Sequence, residues 1–114
     1  AATDDIFYVT PPYADGKEWY LRYATFTPHT TTAADATDYV TLKLANGSDS
    51  LGTLATSSVA YTAGTPRAFS LSGGKALEFT AGTDAVTISN TNTGTAGAAV
   101  HGHLGLCWEK LSTN

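Results

Sequence analysis

The chain has 114 residues, enough for one domain with a core of its own, and 42% of them are hydrophobic. Only 14% are charged, against about 25% in ordinary soluble domains, and the net charge is −4. The basic residues Lys17, Arg22, Lys43, Arg67, Lys75 and Lys110 are scattered, no run approaches the roughly 20 apolar residues of a membrane span, and neither nucleic acid nor a membrane is expected as a partner.

Short runs of alternating apolar and polar residues recur along the chain, and no helical period of useful length competes with them. Ala1-Ala2-Thr3-Asp4-Asp5 lacks the pattern of a secretory signal and is read as a polar N-terminal arm ahead of the first strand, Ile6 to Val9. Pro11-Pro12 ends that strand, because proline cannot donate to a ladder. Lys17 to about Thr27 forms a long strand stopped by Pro28. Trp19, Leu21 and Tyr23 lie on one of its faces and Tyr20, Ala24 and Phe26 on the other, which leaves the buried face open and admits a bulge. Residues 28–37 are a Thr/Ala-rich crossing. Asp38 to Ala45 places Val40, Leu42 and Leu44 on one face and closes at Asn46-Gly47, a strong hairpin signal. An irregular strand from Leu51 to Tyr61 has Gly52 as its expected bulge. Arg67 to Ser72, Ala76 to Thr80 and Ala85 to Asn90 follow, each separated by a Gly-containing turn. A second polar crossing, 91–97, leads to the longest strand, Ala98 to about Leu111. There Gly102, Leu104, Leu106 and Trp108 alternate with His101, His103, Gly105, Cys107 and Glu109, and Leu104 is expected inside.

The chain is thus read as one all-β domain, residues 1–114, with residues 1–5 as its arm. Eight short strands and two long crossings favour a two-sheet antiparallel β-sandwich of jelly-roll topology over a simple barrel. An immunoglobulin-like sandwich is the alternative, weakened because Cys107 stands alone. A lone cysteine also excludes an intrachain disulfide and suits folding in a reducing cytoplasm.

Chemistry is sparse. His101-x-His103 is the best metal-ligand candidate, since both imidazoles share one strand face. Cys107 lies roughly 13 Å further along that strand from His103 and cannot join the same ion. His29 or an aspartate from another strand would have to complete the set, and nothing in the sequence places one there. Exposed or interfacial imidazoles explain the pair without a metal, so no metal and no cofactor is expected. No serine sits on a Gly-x-Ser-x-Gly elbow. Asp35, Asp38, Asp49 and Asp84 read as turn and cap residues, with no Asp-x-Asp-x-Asp-Gly run to hold calcium. Asn46-Gly47-Ser48 fits a glycosylation acceptor, but the hairpin explains it first. Most aromatics are read as core. The chain is therefore expected to bind and not to catalyse.

Several strings carry a further resemblance: Ala24-Thr25-Phe26-Thr27-Pro28, then Asp35-Ala36-Thr37-Asp38-Tyr39-Val40-Thr41-Leu42-Lys43, then Thr62-Ala63-Gly64-Thr65-Pro66. Leu77-Glu78-Phe79-Thr80-Ala81-Gly82-Thr83, Val86-Thr87-Ile88 and Thr93-Gly94-Thr95 continue it. In these the chain, from about residue 6 to 110, resembles the jelly-roll decoration (cement) or head-fibre-like proteins of tailed-bacteriophage capsids. The resemblance implies a structural virion protein, made in the host cytoplasm and bound to the capsid surface. It further implies the major capsid protein as partner, a homotrimer as the working form, and no catalytic residue. On that reading the arm residues Ala1, Ala2, Thr3, Asp4 and Asp5 are the candidate capsid contact. A carbohydrate- or receptor-binding module of a phage fibre or secreted protein is the alternative.

Overall fold

The computed structural model describes residues 2–11, 16–94 and 102–111. Two antiparallel sheets pack face to face as a β-sandwich, as the alternation predicts. The strands are β1 (Ala2–Val9), β2 (Glu18–Pro28), β3 (Tyr39–Asn46), β4 (Asp49–Ala55), β5 (Arg67–Ala68), β6 (Glu78–Thr80), β7 (Val86–Thr93) and β8 (Gly102–Lys110). One sheet runs β1-β7-β3-β4. In the other, β2 pairs with β5 and β6 along one edge and with β8 along the opposite edge.

The arm expected at residues 1–5 is corrected. Ala2, Thr3, Asp4 and Asp5 belong to β1, where Ala2 pairs with Asn92 and Thr3 with Thr91. Charge in a short run says little about pairing when the partner strand supplies backbone groups. The pairing shifts register between Thr3 and Ile6, so the acidic pair coincides with an irregularity in the ladder. Ala1 lies outside the described residues.

β2 settles its two-faced pattern with a bulge. Leu21 pairs with Trp108 and Tyr23 with Cys107, leaving Arg22 as the extra residue. Trp19 and Leu21 are buried before the bulge, and Ala24, Phe26 and Pro28 after it. One inserted residue exchanges the faces, so both apolar sets point into the same core. β4 uses the same device. The shift between the Leu44–Gly52 and Ala45–Ser50 pairs leaves Leu51 unpaired and buried beside the expected Gly52. A Cβ on Gly52 would meet the Ser70 carbonyl at 3.1 Å, so glycine permits the neighbouring segment to come this close.

That neighbour is the run 67–72, expected as one strand. Only Arg67 and Ala68 pair with β2. The Phe69 amide then donates to Ala24 O, and the Ser72 amide to Leu51 O, so the segment passes from one sheet to the other. The expected strand at Ala76 is likewise replaced by a single 3-10 turn, Gly74–Leu77, ahead of β6. Tyr61 is held outside the strands by a two-way bridge with Thr32. One cluster including Leu21, Phe26, Leu42, Leu44, Leu51, Leu54, Phe79 and Val86 fills the interior.

Candidate functional site

The two edges of the sandwich are built differently, and the functional candidates fall on one of them. On the first, the run 67–72 and the 3-10 turn cover the core beside β4. Tyr61 is fully buried there and its hydroxyl donates to Leu54 O at 2.6 Å. The Phe26 ring meets it edge to face at 5.6 Å, and the Arg67 guanidinium lies over it at 5.3 Å. Arg67 also donates to the carbonyls of Ala55 and Val59. Burial pushes the Tyr61 phenol up to about 12, against a smaller opposing pull from Arg67. This cluster locks a loop.

The second edge is β8. It pairs with β2 on one side, and among the described residues no strand pairs with its other side. Leu104, Leu106 and Trp108 point inward as predicted and pack on the core, Trp108 meeting Phe79 edge to face at 5.3 Å. They are nevertheless only half-buried, which corrects the expectation for Leu104. An edge strand has a neighbour on one side only, so its inner side chains are capped by less of the opposite sheet. The Leu111 amide donates to Glu18 O. Alternation along β8 then aims the amides of Glu109, Cys107, Gly105 and His103 at β2, and those of Trp108, Leu106 and Leu104 at the open side.

Gly102 anchors the start of this edge. A Cβ there would meet the Thr27 carbonyl oxygen and, at 2.7 Å, the Phe26 ring. Outward from the same strand pair stand Tyr23, Thr25 and Thr27, opposite Cys107, Gly105 and His103. His29 follows Thr27 by two residues and shares its face. The His29 and His103 ring centroids are 4.7 Å apart with the planes at 76°.

His101, half of the sequence-derived pair, lies outside the described residues. Cys107 is exposed and sits opposite Tyr23, four pairs along from His103, as its spacing requires. Among the described residues no three His, Cys, Asp or Glu side chains gather as a metal-ligand set. The aspartates act in turns. Asp35 Oδ1 accepts from the amides of Asp38 and Thr37, which hold its carboxyl below the ordinary 3.8, and Asp84 accepts from the Thr80 amide. Asn46 closes its hairpin opposite Asp49, and the Nδ2 to which a glycan would attach donates to Ala76 O.

Sequence reasoning missed the Tyr61–Arg67 cluster, because both residues read as strand positions. It also left His29 unplaced. Only the antiparallel pairing of β2 with β8, distant in sequence, brings the end of one beside the start of the other. No family model matches this chain, and neither a curated protein nor a solved structure does.

Proposed function

We propose that this chain is a structural virion protein that binds the outer surface of a phage capsid and stabilises it, working as a homotrimer against the major capsid protein. One observation carries the reading beyond the sequence resemblance. β8 presents half-covered Leu104, Leu106 and Trp108 beside a row of outward backbone donors and acceptors. Such an edge is a template for association unless something covers it. The β8 flank is the contact in this proposal, with the β1 residues Ala2 to Asp5 as a second strand available to it.

The jelly-roll topology belongs to the same proposal. Among the described strands, five of the seven connections between successive ones cross from one sheet to the other, which supports a double-sheet wrap. The physical gain from decoration follows from symmetry. A standard interface buries about 1,600 Å² in total, and its net gain is modest because association costs several kcal/mol. Repetition over a shell multiplies that gain, and linkage within a trimer slows its loss. A weakly charged exterior imposes little repulsion between neighbours.

The sugar-binding alternative requires rings arrayed on one open face. Among the described residues the two most exposed rings, Tyr8 at 71% and Tyr23 at 66%, stand on different sheets. They do not favour it.

Light scattering of the purified chain, followed by co-sedimentation with emptied, expanded capsids of the phage that encodes it, tests the proposal. A trimer mass and saturable capsid binding are expected. A monomer that stays in the supernatant and is retained by a glycan array overturns it.

A further inference from the structure

We propose that His29 and His103 together form a surface site for a first-row divalent transition ion such as Zn2+, Ni2+ or Cu2+. His103 is fixed by the β2–β8 ladder, in which it pairs with Thr27 while Gly102 pairs with Pro28. His29 leaves the end of β2 on backbone pinned just before and just after it. The Pro28 carbonyl accepts from the Gly64 amide at 2.8 Å, and Thr32 exchanges two hydrogen bonds with Tyr61. The two imidazoles are thus delivered by separate, anchored segments and not by one mobile loop.

Their spacing suits a shared ion. A metal holds each imidazole nitrogen at about 2.0–2.1 Å, and each ring centre lies about 1.1 Å behind its nitrogen. At tetrahedral or square-planar angles the two centres are then roughly 4.5–5.2 Å apart. The observed separation is 4.7 Å. Imidazole is a good donor for these ions, both side chains are exposed to solvent, and no rearrangement of the strands is needed for an ion to enter. Two protein donors leave coordination positions open to water or to a donor on another molecule. The exposed Cys107 is four residue pairs away on β8 and takes no part.

The test titrates Zn2+ into the metal-stripped full chain and follows the histidine ring resonances by NMR. The His29 and His103 signals are expected to move together along one binding curve in the micromolar range. His29→Gln and His103→Gln should each weaken binding by about 10- to 100-fold, because loss of a ligand costs at least as much as loss of its outer-shell support. Both replacements lie on the surface, and circular dichroism verifies that the fold persists. Cys107→Ser should leave the affinity unchanged. Unaltered affinity in His29→Gln, loss of binding only in Cys107→Ser, or no response up to millimolar Zn2+ each overturns the site and leaves an edge-to-face ring contact alone.

Discussion

β3 and β8 carry the same sequence signature and meet different fates. Val40, Leu42 and Leu44 alternate with polar residues as do Leu104, Leu106 and Trp108. The first set is buried, Leu44 completely, whereas the second is only half-covered. The difference is position in the sheet. β3 lies between β7 and β4, while among the described residues β8 has β2 on one side only. A period of two tells which face points inward. How deep that face lies depends on neighbours that the strand itself does not encode. The closed region is thus where stability resides, and the open edge is where a partner can add to it.

Substitutions can break or sharpen this contrast. The largest effect is expected at Leu44, where truncation to alanine should cost about 2–5 kcal/mol in urea unfolding, as for other fully buried large-to-small changes. Gly102→Ala comes next, at roughly 1–3 kcal/mol, because its methyl group must displace Phe26 or part β8 from the Thr27 carbonyl. Should it prove neutral, the close seating of β8 on β2 is wrong.

Tyr61→Phe removes the donor to Leu54 O and should cost about 1–2 kcal/mol at neutral pH. Its pH dependence gives a second reading. The phenol is raised to about 12 in the folded chain from its ordinary 10, so its contribution is complete below pH 10 and declines as pH rises from 10 to 12. That part of the alkaline decline should be missing from Tyr61→Phe. Leu104→Ala should cost only about 1 kcal/mol, since less area leaves water there than at Leu44. A loss matching Leu44→Ala would erase the contrast between the two strands.

Asp35→Ala should show the smallest effect, in a different window. The carboxylate is stabilised by the Asp38 and Thr37 amides, so its contribution is present above pH 3.8 and disappears as pH falls through its lowered folded value. The difference in melting temperature between wild type and Asp35→Ala should accordingly shrink on acidification from pH 6 to pH 2.

Much of the fold is legible from pattern. The β-sandwich, the hairpin at Asn46, the crossing over 28–37 and the inward face of β8 all follow from period and turn chemistry, whereas the crossing expected at 91–97 begins inside β7, which runs to Thr93, and residues 95–97 lie outside the described residues. Other features depend on contacts far apart in sequence. Tyr23 shares its apparent face with Leu21 until the bulge at Arg22 exchanges them, and the bulge is set by pairing with β8. The run 67–72 looks like one strand because its alternation is regular, yet its backbone bonds are divided between the two sheets. Ala2 and Thr3 read as an unpaired arm because their partners, Asn92 and Thr91, sit on β7, far along the chain. The candidate site is half legible. His103 stands out by its spacing from His101, and His29 becomes its neighbour only through the β2–β8 register.

Residue-resolved hydrogen exchange along β8 addresses the open edge most directly. In dilute monomeric protein the amides of His103, Gly105 and Cys107 should be protected by β2, while those of Leu104, Leu106 and Trp108 exchange freely. On assembled capsids the second set should slow to match the first. Exchange at Leu104, Leu106 and Trp108 that is unaltered on capsid-bound protein would contradict β8 as the surface through which this chain works.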